Sequence, residues 1–178
     1  MAGTLTATLT APPGTDTPQE RLERLYAGCR DDLYAYVASL LEDRSLAEDV
    51  TALAFERAFR RRRLFNARRG SERAWLFGIA RNAALDELRR RRRTSQLLAD
   101  PADWPDPGEE AEGALRRAAV RAALADLTPR ERELVALKFH AGLSNPDIAR
   151  VLGVSESNAG TLLHRTITKL RRACNEQA

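Results

Sequence analysis

Residues 70–93 read GSERAWLFGIARNAALDELRRRRR, and this pattern predicts one helix around which the first half of the chain is arranged. Ser71 directly follows a glycine and is a good N-cap, and Leu76, Ile79 and Ala83 fall on one stripe at helical spacing. The stretch ends in five consecutive arginines. Between residues 57 and 93 there are fourteen arginines and three acidic residues. So concentrated a positive charge favours a polyanionic partner such as nucleic acid.

Charge is divided into blocks of alternating sign, although the 178 residues carry a net charge of only +4. Residues 1–56 are acidic, the arginine-rich block follows, residues 94–113 contain six acidic residues and no basic one, and the rest is basic. Because the second acidic block also contains three prolines, it cannot continue a helix and predicts a flexible, extended linker. We therefore expect an all-α protein with two small helical domains, residues 17–93 and 114–178, after a disordered tail at residues 1–16.

The cysteines and the hydropathy pattern exclude several classes of protein. Cys29 and Cys174 lie far apart, and neither has a second cysteine or a histidine at metal-ligand spacing, so we expect no zinc site, no disulfide framework and no cofactor. No apolar run approaches the roughly 18 residues that cross a bilayer, and the N-terminal segment lacks the charged region of a signal peptide. These features predict a cytoplasmic protein without a membrane partner.

Two capping boxes predict two further helices before the arginine-rich stretch. Thr17 to Glu20 begins a long amphipathic helix, and Ser45 to Glu48 begins a second helix that runs to about Arg63. The second helix is apolar on two sides, with Leu46, Val50 and Leu53 on one face and Phe55 and Phe59 on nearly the opposite face. The second apolar face needs another neighbour, which is either a helix of the same domain or a separate protein.

A basic loop connects the second helix to the third. Its arginines supply a sequence-independent attraction to phosphate, and an aromatic ring beside them offers a surface for stacking an unpaired base. The candidate contacts to single-stranded nucleic acid are Arg62, Arg63, Phe65, Asn66 and Trp75. The alternative is that the two rings belong to the core and the arginines form a solvated face. The residue pattern favours a core position for Trp75 and leaves Phe65 open.

The second half of the chain has the pattern of a helix-turn-helix motif. A capping box at Thr128 begins a helix that ends at Gly142, Ser144 begins the next helix, Gly153 turns the chain, and Ser155 caps the last helix. The last helix would lie in the major groove and present Glu156, Ser157, Gly160, Thr161 and His164 to the bases. Its positive side chains Arg165, Lys169, Arg171 and Arg172 would lie toward the phosphates.

Both halves resemble the sigma-70 family of bacterial RNA polymerase initiation factors, in its small extracytoplasmic-function group. The stretches that resemble the family's region two are LAEDV at 46–50, FERAF at 55–59 and AWLFGIARN at 74–82 with the arginine run. Those that resemble its region four are LTPRER at 127–132, GLS at 142–144, LGVS at 152–155 and LHR at 163–165. The likeness covers residues 20–175, and the two regions occur in the family's order.

The resemblance implies a function without catalysis, in which the polymerase core supplies the chemistry. Region two would bind the polymerase clamp and capture a flipped base of the minus-ten promoter element, and region four would read the minus-thirty-five element. It implies that Asp49 and Phe59, with Phe55 on the same side, bind polymerase, and that Phe65 and Asn82 lie at the base pocket. The resemblance adds Arg81 to the minus-ten contacts and Ser155 to the minus-thirty-five contacts. The implied partners are core polymerase, promoter DNA as duplex and melted strand, and an anti-sigma factor.

Two departures from the family pattern fall at the expected contacts. Ala52 and Leu53 stand where the polymerase-binding helix usually carries Gln and Glu, and Gly160 and Leu162 stand where the recognition helix usually carries basic residues. We therefore expect a lower affinity for both polymerase and the minus-thirty-five element.

Three other classes of protein compete with this interpretation. A LuxR-like regulator acting without polymerase would share the helix-turn-helix, but such proteins usually place a strand-containing domain before it, and no alternating strand pattern precedes Gly113. A site-specific recombinase would need a nucleophile with converging partners, and neither His140 nor His164 has a carboxylate or cysteine at suitable spacing. An RNA-binding adaptor would explain the arginines but not the helix-turn-helix.

Overall fold

The structure, a computed structural model, describes residues 17–94, 118 and 120–176, and within these residues it is helical with no strand. The helices are α1 (Pro18–Leu41), α2 (Arg44–Arg61), α3 (Glu72–Thr94), α4 (Pro129–Phe139), α5 (Asn145–Leu152) and α6 (Glu156–Glu176). Two 3-10 turns, Arg62–Leu64 and Ala67–Arg69, connect α2 to α3, and residues 120–125 are helical before α4. The predicted all-α class is confirmed. The predicted tail, and the predicted linker beyond Thr94, lie outside the described residues.

Every helix from α1 to α6 begins after its predicted capping residue except α2. Ser45 was predicted to cap α2, whereas the helix begins at Arg44 and Asp43 caps it by accepting a hydrogen bond from the Leu46 amide at 3.0 Å. The reason is that α1 ends at Glu42 in a left-handed conformation (φ 53°), so the chain has already reversed at Asp43. The Leu46 amide, followed by the Arg91 guanidinium, holds the pKa of Asp43 below its usual value.

The first lobe is a three-helix bundle of α1, α2 and α3. Leu33, Tyr36, Leu76 and Phe77 are completely buried between these helices, and the Tyr36 and Phe77 rings lie 5.4 Å apart. The stripe that was predicted to face the core of α3 is buried as expected. The bundle therefore holds α3 with its apolar side inward and its polar side outward.

The second lobe contains the predicted helix-turn-helix, formed by α5 and α6 and supported by α4. Ile148 and Ala149 of α5 are buried against this small core. Gly153 ends α5 in the left-handed region (φ 68°), where glycine has no steric penalty, and the Val154 amide bonds to the Ala149 carbonyl at 3.0 Å. The turn between the two helices is therefore fixed by local geometry.

The two lobes share one continuous buried cluster, which the sequence did not predict. Helix α1 packs on α4, and α3 packs on α5. Polar bonds cross the same boundary: Ser71 before α3 donates to the Asp147 carboxylate of α5 at 3.2 Å, and Arg132 of α4 pairs with Glu42. The helix-turn-helix therefore packs directly against the first lobe.

Candidate nucleic-acid interface

A cleft of about 410 Å³ lies beside the N-terminal half of α3. Four of the residues predicted to bind the minus-ten element line it, namely Phe65, Asn66, Trp75 and Asn82. The two 3-10 turns bring these residues together, because they fold the loop back along α3; the Asn66 side chain fixes the second turn by accepting a hydrogen bond from the Arg68 amide at 2.9 Å. The structure thus brings side chains that are up to seventeen positions apart in sequence into one depression.

The two rings of the cleft form a tilted pair. Phe65 and Trp75 have centroids 5.6 Å apart at an interplanar angle of 56°, which is a favourable aromatic geometry. Both are half-buried, and behind them a small pocket is shared with Leu22 and Leu25 of α1. Trp75 packs against the core, as the residue pattern favoured, while one side of the ring pair faces the cleft. These rings can therefore serve the core and offer a stacking surface together.

The arginines near the cleft occupy three different environments. Arg62 caps α2 through a bond from its guanidinium to the Phe59 carbonyl at 2.8 Å, and it also lies over the Phe59 ring at 4.3 Å. Arg63 is exposed. Arg61 and Arg69 line the cleft, although sequence reasoning did not select them. They belong to the basic loop, so charge clustering was the signal that could have found them.

Arg81 does not lie in the cleft with the other predicted contacts. Its guanidinium binds both carboxylate oxygens of Glu133 in α4, at 2.6 and 3.4 Å, and the Glu133 side chain is only 9% exposed. The Tyr36 hydroxyl also donates to Glu133, at 3.3 Å. Burial, followed by the nearby Glu133 charge, raises the pKa of Tyr36 well above its ordinary value. No sequence pattern connects these three residues, because they are far apart in the chain.

The residues predicted to bind polymerase lie on α2 in unequal environments. Asp49 is exposed, Phe59 is 41% exposed, and Phe55 is only 8% exposed because it packs on Tyr26 of α1 with ring centroids 4.7 Å apart. The second apolar face of α2 is thus partly covered by α1, and Phe59 is its open end. A shallow groove between α1 and α2 includes Ala52 and Phe55.

The groove-facing surface of α6 is largely open. All the predicted base or phosphate contacts except Gly160 are exposed: Ser155, Glu156, Ser157, Thr161, His164, Arg165, Lys169, Arg171 and Arg172. Ser155 accepts a hydrogen bond from the Asn158 amide at 3.2 Å, so it caps α6 as predicted. Gly160 lies at the contact with α5, where an added Cβ would be 3.8 Å from Nδ2 of the Asn145 side chain.

Lys169 is engaged within the protein. Its ammonium donates to the Asp126 carbonyl at 2.9 Å and pairs with Glu131 at 3.1 Å, so it ties α6 to the start of α4. Both bonds are internal to the protein, and the predicted contact of Lys169 with a phosphate stays a prediction.

The cysteines and the helix hydropathy bear on other kinds of site. Cys29 and Cys174 are free thiols, and burial raises the pKa of Cys29. No cluster of three or more ligating side chains within the described ranges could hold a metal ion. None of the helices in those ranges is both long and apolar enough to span a bilayer.

Each of the two lobes matches a known family model. The Sigma-70 region 2 family model matches residues 25–94, and the Sigma-70, region 4 model matches residues 117–170. The chain is 31% identical to the extracytoplasmic-function sigma factor SigL of Mycobacterium tuberculosis over 147 residues, covering 81% of this chain and 83% of SigL. The chain belongs to the extracytoplasmic-function group of the sigma-70 family. This sigma factor is also 31% identical to CarQ, an RNA polymerase sigma factor of Myxococcus xanthus, covering 90% of this chain and 93% of CarQ.

A further relative agrees with this assignment, and two solved structures share the fold. The sigma factor is 32% identical to BldN of Streptomyces coelicolor over 87% of its own length, and it spans 61% of BldN. Its fold is similar to RpoE of Bartonella quintana in a complex with the anti-sigma factor NepR, with a TM-score of 0.71, 22% identity and coverage of 88% and 98% of the two chains. CnrH, solved with the cytosolic domain of CnrY, gives a TM-score of 0.63 at 24% identity, with 90% and 91% covered. At these identities the two structures establish the fold alone.

Proposed function

We propose that this sigma factor directs bacterial RNA polymerase to promoters and opens the duplex at the minus-ten element. The single observation that carries the proposal is the cleft beside α3, where the ring pair of Phe65 and Trp75 lies next to the amides of Asn66 and Asn82 in an arginine-rich surface. Extruding a base costs a few kcal/mol, and stacking on an aromatic ring returns about 1 to 3 kcal/mol. Hydrogen bonds from the side-chain amides of Asn66 and Asn82 to the base edge offset the remaining free-energy cost of extruding the base.

The other promoter contacts are assigned to α6. Its exposed Thr161 and His164 would face base edges, and Arg165 would contact phosphate. Lys169 is assigned a different role from the one expected, since its bonds to Asp126 and Glu131 favour holding α6 in place.

Polymerase binding is assigned to α2. Asp49 and Phe59 offer a charge and an open ring on one helix, and Phe55 supports them from the core side. The protein itself would catalyse no reaction, because promoter recognition and strand capture need only binding energy, and the polymerase forms the phosphodiester bonds. We place it in the cytoplasm with the polymerase, with an anti-sigma factor as a further partner.

The decisive experiment mixes the purified chain with bacterial core polymerase and measures promoter-dependent run-off transcription. Promoter-specific transcripts are expected only when the chain is present. Binding of duplex DNA without any redirection of polymerase would overturn the proposal and point to a LuxR-like regulator.

The cleft is tested by Phe65→Ala and Asn82→Ala. Loss of one stacked base is worth about 1 to 3 kcal/mol, so promoter opening, followed by permanganate reactivity of unpaired thymines, should fall by roughly 5- to 150-fold while duplex binding before opening changes little. Phe139→Ala is the matched control, since Phe139 is 65% exposed on α4, away from the cleft. Equal loss of binding and opening would remove the cleft assignment.

A further inference from the structure

Leu64 lies at the rim of the candidate cleft and is the most exposed large hydrophobic residue in the described ranges, with 76% of its surface open to solvent. It ends the 3-10 turn Arg62–Leu64 and directly precedes Phe65 of the ring pair. A single exposed leucine is common on a protein surface and by itself has no functional meaning. This one differs because it stands among arginines, next to a ring that faces the cleft.

The backbone on both sides of Leu64 is fixed by hydrogen bonds. On the N-terminal side, the Arg62 guanidinium donates to the Phe59 carbonyl at 2.8 Å. On the C-terminal side, Phe65 is extended (φ −62°, ψ 132°), and the Asn66 side chain accepts a bond at 2.9 Å from the amide two residues later. The fold of the loop therefore holds Leu64 at the rim of the cleft, while Phe65 packs on its partner ring.

Leu64 cannot make the contacts that its charged neighbours can make. Arg61 and Arg69 line the same cleft, and Arg63 is exposed beside Leu64. Guanidinium groups bind phosphate oxygens and so position a strand, whereas an aliphatic side chain gains free energy only where it leaves water for an apolar surface. In DNA, the face of a base becomes such a surface when the neighbouring base leaves the stack. Proteins that kink DNA insert leucine and similar side chains between base steps.

We propose that Leu64 is a wedge that enters the base stack beside the base taken up by the cleft. Its side chain covers the face of the base pair that remains in the duplex, while the ring pair of Phe65 and Trp75 takes the base that has left it. The inference deepens the proposed function and rests on it for its biological meaning. It gives two adjacent residues different tasks, because Phe65 holds the extruded base and Leu64 prevents the stack from closing again.

These two tasks differ in the DNA template that they require. A fully paired template must be opened, so it needs both the wedge and the stacking surface. A template that is mismatched over the minus-ten element is already open, so it needs the stacking surface and no wedge. The mismatched template should therefore rescue Leu64→Ala and should not rescue Phe65→Ala. A residue that only supported the fold of the loop would fail on both templates.

The first test uses the full chain with bacterial core polymerase and a promoter from which the natural chain supports run-off transcription. On the fully paired template, Leu64→Ala should lower the initial rate of transcription by about tenfold, and on the mismatched template the rate should stay within about twofold of the natural chain. Leu64→Met keeps an apolar side chain of similar volume and should restore the rate on the paired template.

Val120→Ala is the matched control for this test. Val120 is an aliphatic residue that is 46% exposed in the helical segment before α4, outside the cleft, so its truncation should change neither rate. Equal losses for Leu64→Ala on both templates, or no loss on the paired template, overturn the wedge.

The second test needs no polymerase. The full chain is titrated with a short fluorescein-labelled duplex of mixed sequence that contains one abasic position, and with the same duplex intact. An abasic position leaves an empty place in the stack, which a wedge fills. The natural chain and Val120→Ala should bind the abasic duplex about fivefold more tightly than the intact one, and Leu64→Ala should lose this preference while keeping its affinity for the intact duplex. Absence of a preference in the natural chain, or its persistence in Leu64→Ala, overturns the wedge.

The two tests separate this inference from the proposed function. If the natural chain supports transcription from neither template, the proposed function fails, and the wedge is still judged by the abasic duplex. If the natural chain supports transcription and Leu64→Ala opens the paired template equally fast, the wedge fails and the proposed function stands.

Discussion

The helix-turn-helix and the cleft are built by interactions of very different range. In the second lobe, Thr128, Ser144 and Ser155 each cap a helix by bonding to an amide three residues later. At the first lobe, by contrast, Arg81 meets Glu133 across 52 positions. The recognition helix is therefore shaped by its own neighbours in sequence, whereas access to the cleft depends on the position of the other lobe. Four sets of substitutions test this contrast, in order of decreasing expected effect.

The largest effect is expected for Phe77→Ala in the first lobe. Phe77 is completely buried, packs on Tyr36, and lies 5.3 Å from the Arg73 guanidinium that bridges to the second lobe. The free energy of unfolding should fall by about 3 to 5 kcal/mol, measured by urea denaturation. Phe139→Ala, which removes an exposed ring, should stay within about 0.5 kcal/mol. If the two variants lose similar stability, the first lobe does not depend on this packing.

A smaller effect is expected for Gly153→Ala at the turn of the helix-turn-helix. Gly153 has φ 68°, where a Cβ costs about 1 to 2 kcal/mol. The same substitution at Gly28, inside α1 with nothing within 4 Å of an added Cβ, should instead stabilise by up to about 1 kcal/mol. Thermal unfolding of both variants measures the difference. Equal shifts in the same direction would contradict the local origin of the turn.

The capping box of α4 predicts a pH dependence. The Thr128 amide, followed by Lys169, holds the pKa of Glu131 below its ordinary value of 4.5. Because the pKa is lowered in the folded state, the stabilisation is complete above about pH 4.5 and is lost as pH falls through the lower folded value. The stability difference between the natural chain and Glu131→Gln should therefore be constant at neutral pH and shrink in acid. Urea denaturation across this range measures it, and a difference that grows in acid would contradict the sign.

The smallest effects should distinguish Arg165 from Lys169 on α6. Arg165 is exposed, so Arg165→Ala should reduce the salt dependence of duplex DNA binding by about one unit of the slope. Lys169→Ala should leave that slope unchanged and lower stability by at most about 1 kcal/mol, because its pair with Glu131 is partly solvated. An equal reduction of the slope in both variants would show that Lys169 leaves Glu131 to bind phosphate.

The sequence predicted those structural features that depend on residues close together in the chain. Capping boxes, the glycines after α4 and α5, and the apolar stripe of α3 predicted the helices, and the arginine block predicts a nucleic-acid face in the first lobe. The one misplaced start, at Ser45, arose because Asp43 is an equally good cap and the left-handed Glu42 made it available. Of the residues that line the cleft, the basic loop and its rings pointed to Phe65, Asn66 and Trp75, and the resemblance to the family pointed to Asn82; their binding of the minus-ten element stays a prediction.

Two helical lobes, one with an arginine-rich aromatic loop and one with a helix-turn-helix, follow from the sequence because helix periodicity, caps and charge clusters act over a few residues. Three features emerge only from the folded chain: Arg81 pairs with Glu133, Lys169 pairs with Glu131, and α5 forms one wall of the cleft. These contacts join residues far apart in the chain, and their energies depend on burial and distance. Neither the burial of a side chain nor its distance from a remote partner can be predicted from a short stretch of sequence.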